Sequence, residues 1–188
     1  MKQTALGALA PLVVTAGTLL CPGVASAVGG GSCTLNAKAT LSPGLGAFAK
    51  PFAVTFSGTL SGCQGAAPGT PSGGEVQAGL NGAPVPHGTG SCLSNSVDGY
   101  SINRWTDGKT TVVKFSALGA LAVLLLRGEV VDHVGAGRKR FVTNEPTTPV
   151  GSVVLGTVAF TTSDPFACLP GAAGVTSATV QGQLAHAK

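Results

Sequence analysis

Apolar and polar residues alternate along several stretches of this chain, and this alternation restricts the fold more than any other feature. It is clearest in residues 33–41, where the apolar positions are Cys33, Leu35, Ala37, Ala39 and Leu41. The same period of two recurs in residues 52–60 and 176–185. Successive side chains of a β-strand point to opposite faces, so the pattern indicates strands with one buried face.

Composition and turn signals extend this interpretation to the whole chain. The sequence holds 29 Gly and 12 Pro, and it is rich in Ala, Thr, Ser and Val. Such a composition disfavours long helices and suits strands joined by many turns. We count about eight or nine strands and predict an all-β fold, an antiparallel β-sandwich, with a small barrel as second choice. Because Cys92, Trp105 and Cys168 follow one another as in immunoglobulin domains, we expect an immunoglobulin-like sandwich.

The first 27 residues have the pattern of an export signal. Lys2 supplies a positive charge, residues 6–20 are mostly apolar, and Ala25-Ser26-Ala27 is a small-x-small cleavage site. We predict a cleaved signal peptide over residues 1–27 and a single domain over 28–188, and therefore a secreted, extracellular protein. A membrane anchor is the disfavoured alternative, because the apolar run is short and interrupted.

No other segment is long enough to span a bilayer as a helix. The apolar run in residues 119–126, GALAVLLL, predicts a buried strand. The formal net charge is +4, of which Lys2 supplies one unit, and this balance gives no case for nucleic acid as a partner.

Four cysteines follow the leader, and an even number in an exported protein predicts two disulfides. Three pairings are possible. If residues 33–41 and 52–63 form a hairpin, residues whose numbers total about 94–96 face each other across antiparallel strands, which favours Cys33 with Cys63. Cys92 then pairs with Cys168. The chain has no Cys-x-x-Cys pair and its three histidines are isolated, so we predict neither a metal site nor a cofactor.

Residues 100–116 predict a β-hairpin, because Asp107-Gly108 between two β-rich runs is a strong turn signal. With those two residues as the turn, Tyr100 would face Phe115 and Ile102 would face Val113. These four side chains would form one apolar face of the hairpin.

The opposite face of this hairpin would carry the single Trp of the chain, Trp105, together with Asn103 and Lys114. A Trp among polar residues near a hairpin tip can stack on a sugar or a partner protein. We therefore predict these three as binding residues. The alternative is that another segment covers Trp105.

A basic run, Arg138, Lys139 and Arg140, follows Gly135-Ala136-Gly137. One interpretation is a solvated loop tip. The other is a binding site for a phosphate or an acidic cell-wall polymer, because three adjacent cations create a local positive potential.

The sequence shows no motif that indicates catalysis, so we predict no catalytic residues and a non-enzyme. No serine lies in Gly-x-Ser-x-Gly, and the adjacent pair Asp132-His133 would point to opposite faces of a strand. The few Asp and Glu residues do not lie in a sequence motif that indicates glycoside cleavage, and the sequence contains no phosphate-binding loop.

Several short motifs follow one another along the chain: an opening strand at Cys33, Ser-Pro-Gly-Leu at 42–45, Gly-Ser-Cys-Leu at 90–93, Trp-x-x-Gly at 105–108 and Ala-Cys-Leu-Pro-Gly at 167–171. On these motifs, with residues 57–63 and 151–162, the chain resembles a group of small secreted four-cysteine proteins of high-GC actinobacteria. The resemblance implies export and a β-sandwich, and it brings no assigned activity.

These patterns predict a secreted, non-enzymatic binding or structural module at the cell envelope or in the extracellular space. Its expected partner is a cell-wall glycan or an extracellular protein. Two alternatives stay open. One is a secreted protease inhibitor with its reactive loop at Pro170, just after Cys168. The other is a carrier for a small apolar ligand, similar to the apoproteins of chromophore antibiotics.

Overall fold

The computed structural model describes residues 30–187, and strands make up most of them. The predicted signal peptide over 1–27 lies outside the described residues. The strands are β1 (Gly31–Leu45), β2 (Lys50–Gly65), β3 (Gly74–Ala78), β4 (His87–Gly90), β5 (Ser94–Trp105), β6 (Thr110–Ala120), β7 (Val123–Val131), β8 (His133–Val134), β9 (Phe141–Val142), β10 (Val153–Thr162) and β11 (Val175–Ala187). No helix in this part of the chain is long and apolar enough to cross a membrane.

The main sheet closes on itself as a barrel. Each of its strands pairs antiparallel with the next, and β1 pairs with both β2 and β11, so the first and last strands meet. The short strands β3 and β4 share one position, because both pair with β2 on one side and β5 on the other. The result is an eight-strand barrel in which neighbours along the chain are neighbours in space.

The predicted all-β, antiparallel class is confirmed, whereas the predicted immunoglobulin-like sandwich is wrong. The second choice, a small barrel, describes the arrangement. A sandwich and a barrel both bury one face of each strand, so they share the same alternation of residues. What separates them is the pairing of β1 with β11, a contact between the two ends of the chain.

The predicted first hairpin is confirmed. The alternating apolar residues of β1 point into the barrel and are buried. Leu35 faces Leu60 and Ala39 faces Phe56 across the β1–β2 pair, which is the predicted register. A bulge near Ser32 then brings Cys33 to Cys63.

The hairpin of β5 and β6 exists, but its predicted two-residue turn is wrong. The Gly108 N–H donates to the Trp105 carbonyl at 3.0 Å, and the Trp105 N–H donates to the Lys109 carbonyl at 2.8 Å. Gly108 has φ 84°, so it is the extra residue of a G1 bulge next to the turn. Ile102 therefore faces Val112 instead of Val113.

This one-residue slip moves the predicted apolar residues of β5 to the face opposite those of β6. Val113 and Phe115 point into the barrel, whereas Ile102 and Val112 lie on its outside. Both outer residues are nevertheless fully buried. Side chains from two excursions of the chain cover them, namely Ala83 between β3 and β4, Val134 in β8 and Phe141 in β9.

The connections alternate between the two ends of the barrel. Four of them form one end, which we call the mouth: residues 46–49, 91–93, 121–122 and 163–174. The opposite end, which we call the base, carries residues 66–73, 106–109 and 132–152, whereas residues 79–86 join β3 to β4 within one position of the ring.

The prediction of a buried strand over residues 119–126 is wrong. The segment contains the tight turn between β6 and β7, at residues 121–122. Leu118 and Leu125 face each other across this pair, and both are exposed on the outside of the barrel. A run that is apolar at every position gives no polar residues to mark the outer face, and so its exposure could not be read from the sequence.

Candidate functional site

The barrel encloses an apolar cavity of about 100 Å³. Of the residues that line it, all within 30–187, only Asn95 is polar; the others are Leu35, Ala37, Ala39, Leu41, Leu45, Phe52, Val54, Phe56, Val97, Phe115, Ala117, Leu121, Leu124, Leu126, Val158, Phe160 and Val180. Eight-strand barrels have an interior just wide enough to be filled by side chains or to hold one small ligand. This barrel therefore has the dimensions and the lining of a site for a small apolar molecule.

Alternation of large and small side chains creates the space. Phe56 of β2 and Phe115 of β6 meet edge to face across the interior, with ring centroids 6.0 Å apart. Three alanines on the inner faces of β1 and β6 leave room beside this pair: Ala37, Ala39 and Ala117. Leucine or phenylalanine at these positions would fill the barrel.

Leu121 connects the cavity to the surface. It lines the cavity, yet it is 70% exposed at the tip of the β6–β7 turn. Its φ of 56° lies in the left-handed region, which is unfavourable for a bulky side chain. Glycine is the usual residue at such a turn position. The leucine thus places an apolar side chain at the opening of the cavity at a cost in backbone conformation.

Both predicted disulfides are confirmed. Cys33–Cys63 joins the neighbouring strands β1 and β2 near the base. Cys92–Cys168 joins two connections at the mouth that belong to opposite walls of the barrel, because two strands separate them in either direction around the ring.

The second disulfide fixes a strap, residues 163–174, over part of the mouth. The strap begins with the 3-10 turn Pro165–Cys168, where the Asp164 carboxylate accepts from the Phe166 N–H at 2.9 Å. Ala167 is buried and Cys168 is half-buried, and both pack against the core residues inside the barrel. The strap therefore covers part of the mouth, and around the ring the β6–β7 turn with Leu121 lies between the strap and residues 91–93.

An apolar collar surrounds the mouth. Each of its four connections exposes at least one large apolar side chain: Phe48, Leu93, Leu121, and Phe166 with Leu169. Asp164 is the single charged residue in these four connections. A small apolar ligand that enters through this collar would contact apolar side chains, and would lose its contact with water, before it reaches the cavity.

The structure does not bring together the three predicted binding residues of the hairpin. Asn103 is buried on the inner face of β5, whereas Lys114 is exposed on the outside of β6. Trp105 is half-buried at the base, where it packs against a cluster that includes Leu35 and Leu60. Its Nε1–H donates to the Thr111 Oγ1 at 2.8 Å. The predicted outer-face placement of Trp105 is wrong, since it rested on the wrong turn.

The predicted basic site lies apart from the mouth. Arg138, Lys139 and Arg140 are exposed between β8 and β9, on the excursion that covers the outside of the barrel. The Arg140 Nη2 lies 3.8 Å from the Asp132 Oδ2. A role for these three residues stays a prediction.

A charged cluster at the base holds the long connection between β7 and β10 against the β5–β6 turn. The Lys109 Nζ lies 2.7 Å from the Asp107 Oδ2 and 3.6 Å from the Glu145 Oε2. The hydrogen bond from Lys109 lowers the pKa of Asp107, and the same bond raises the pKa of Lys109. The buried Glu145 also accepts from the Thr147 N–H and Oγ1–H. This cluster stabilises the fold at a distance from the cavity.

Within residues 30–187, no group of three or more His, Cys, Asp or Glu side chains is arranged to hold a metal ion. The adjacent pair Asp132 and His133 is in contact, with His133 Nδ1 2.7 Å from Asp132 Oδ2, and both side chains are exposed. Comparison with known proteins adds no assignment, since the chain matches no family model, no curated protein and no solved structure.

Proposed function

We propose that this protein is an exported, non-enzymatic binding module that holds a small apolar ligand inside its barrel. The observation that carries the proposal is the apolar cavity of about 100 Å³, lined by 17 apolar residues and Asn95. Apolar cavities of comparable size, about 150 Å³, stay dry and take up benzene or xenon. Filling such a space restores dispersion contacts that its lining otherwise lacks.

The mouth supports a role in uptake as well as storage. Leu121 is both exposed and part of the cavity lining, so its side chain provides apolar surface between the collar and the interior. The Cys92–Cys168 disulfide fixes the strap and keeps the rim in one shape. Binding to a pre-formed site avoids the entropic cost of ordering a loop around the ligand.

Export is the second part of the proposal, and the disulfides support it. Disulfides persist in oxidising compartments and are rare in the cytosol. The intact mass of protein from culture medium tests this part. We expect a chain beginning at Val28, with a mass that rises by about 4 Da when both disulfides are reduced. A chain that retains residues 1–27, or one with four free thiols, would contradict export.

Ligand uptake is tested by titrating the isotope-labelled protein with toluene and following its NMR spectrum. We expect saturable shifts at Phe115 and Ala117, on the inner face of β6. A matched pair of variants distinguishes ligand binding inside the cavity from binding on the outer surface of the barrel. Ala117→Leu fills the interior and should abolish the shifts, whereas Ala120→Leu lies exposed on the outer face of the same strand and should leave them unchanged.

Protease inhibition is a second candidate function, favoured by one observation. Leu169 and Pro170 are exposed directly after the half-cystine Cys168, and an inhibitory loop needs this combination of exposure and covalent support. Assays against secreted serine proteases test it. Inhibition that is lost in Leu169→Ala would favour this function over ligand carriage, and no inhibition would remove it.

A further inference from the structure

Asn95 is the polar exception in an otherwise apolar cavity. It lies one residue inside the mouth end of β5, on the same inner face as the buried Val97. The choice of an amide at this place needs an explanation, because a polar group facing an apolar interior is costly unless it is hydrogen-bonded.

Two glycines make room for the Asn95 side chain. Asn95 pairs with Gly90 on one side and Gly119 on the other. A Cβ atom at Gly119 would lie 2.5 Å from the Asn95 Oδ1 and 2.7 Å from the Nδ2. The amide therefore lies directly against the Gly119 backbone, in space that any other residue at position 119 would occupy.

The amide is free to bind a ligand. Within residues 30–187 the Asn95 side chain makes no hydrogen bond, and the residue is half-buried at the mouth end of the cavity. An amide offers two N–H donors and one carbonyl acceptor. It can therefore pair with a hydroxyl or carbonyl oxygen of a bound molecule.

We infer that the cavity takes an uncharged, single-ring-sized ligand with one hydrogen-bonding group, which the Asn95 amide recognises near the mouth. This inference rests on the proposed ligand-binding function. The volume of about 100 Å³ limits the ligand to about the size of one ring. The lining offers no counter-charge, and burying an unpaired ion in such surroundings is prohibitive, so the ligand is neutral.

Phenol and toluene test the inference, because they have the same number of non-hydrogen atoms and differ in one hydroxyl. We expect phenol to shift the NMR signals of the Asn95 side-chain NH₂ group further than toluene does, because a hydrogen bond adds to the ring-current shift that either ligand produces. In Asn95→Leu, which keeps the side-chain size, the ratio of toluene to phenol affinity should rise about fivefold to tenfold, as expected for the loss of one hydrogen bond.

Gly119→Ala supplies a second variant that keeps Asn95 but displaces its amide, and it should change the affinity ratio in the same direction. Ser116→Ala, on the exposed outer face of the same strand, is the control and should leave the ratio unchanged. If both ligands bind and neither Asn95→Leu nor Gly119→Ala changes the ratio, the inference about Asn95 is overturned while the proposed ligand site stands. If neither ligand binds the unmodified protein, the proposed function is overturned together with the inference.

Discussion

Cys92 and Cys168 are bonded across the mouth of the barrel, with their Cα atoms 5.8 Å apart. Each belongs to a connection on a different wall, so the bond crosses the opening instead of joining neighbouring strands. The bond also encloses 76 residues of chain, against 30 for Cys33–Cys63. The Cys92–Cys168 disulfide therefore holds the two sides of the mouth together, and it constrains the unfolded chain more than Cys33–Cys63 does.

Loss of the mouth disulfide should lower the free energy of unfolding more than loss of the base disulfide. In the chain-entropy account the expected losses are at most about 4.5 kcal/mol for Cys92→Ala with Cys168→Ala and about 3.7 kcal/mol for Cys33→Ala with Cys63→Ala. Urea unfolding of the two double variants measures both values. Equal losses, or the reverse order, would contradict the account.

Leu121→Gly should stabilise the protein while it removes an apolar side chain from the mouth. Glycine adopts the φ of 56° without strain, so we expect the free energy of unfolding to rise by about 1 kcal/mol. Toluene affinity should fall in the same variant, since Leu121 lines the cavity. A variant that is less stable and binds toluene normally would show that the residue serves packing alone.

Gly108→Ala should destabilise the β5–β6 hairpin by about 1 kcal/mol, because Gly108 has φ 84° in the bulge next to the turn. Gly46→Ala is the matched control, since its added Cβ meets nothing within 4 Å and its φ is not in the left-handed region. Urea unfolding compares the two. Tolerance of alanine at position 108 would contradict the left-handed backbone conformation of this residue.

The Asp107–Lys109 pair gives the base a dependence on pH at both extremes. The pKa of Asp107 is lowered below 3.8, so its contribution to stability is present above that pH and is lost as the pH falls through the lowered pKa. The pKa of Lys109 is raised above 10.5, so its contribution is present below that pH and is lost as the pH rises through the raised pKa.

Lys109→Met removes the side-chain hydrogen bond that is the largest cause of both pKa shifts. Unfolding of this variant, followed against pH beside the unmodified protein, should show a flatter acid limb and a flatter alkaline limb. Lys114→Met is the control, because Lys114 is an exposed lysine of the same hairpin that takes no part in the Asp107–Lys109–Glu145 cluster. Identical pH profiles for the Lys109 variant and the unmodified protein would contradict the role assigned to the pair.

Trp105 should report the inside of the barrel. As the single Trp of the chain, half-buried and hydrogen-bonded to Thr111, it should emit at shorter wavelength in the folded protein than in urea. Trp105→Phe should cost about 1 kcal/mol, because it leaves the buried Thr111 hydroxyl without this partner. Retention on peptidoglycan that depended on Trp105 would instead support the original surface-binding prediction.

Much of the fold was accessible from local pattern. Alternation located β1 and β2, and their register led to the Cys33–Cys63 pairing without any structural knowledge. The turn at Gly108 shows the limit of that reasoning, because Asp-Gly fits a two-residue turn as well as a turn with a bulge, and the difference of one residue reversed the faces of Trp105 and Ile102. Sequence pattern also could not show that β11 returns to β1.

The candidate site depends on that closure, so few of its features could be predicted from the amino-acid pattern. Ala37 and Ala39 fit any half-buried strand, and only a closed barrel turns their small size into a cavity. A signal was present at the mouth, where each of four turn-rich segments carries a large apolar residue with almost no charge nearby. Loops that only connect strands are usually polar.

Toluene titration of the unmodified protein, beside Ala117→Leu and Ala120→Leu, tests the central claim most directly. The account predicts saturable NMR shifts on the inner face of the barrel, retained in Ala120→Leu and lost in Ala117→Leu while both variants stay folded. Shifts confined to outer-face residues such as Leu118 and Leu125, or no saturable shifts at all, would contradict it.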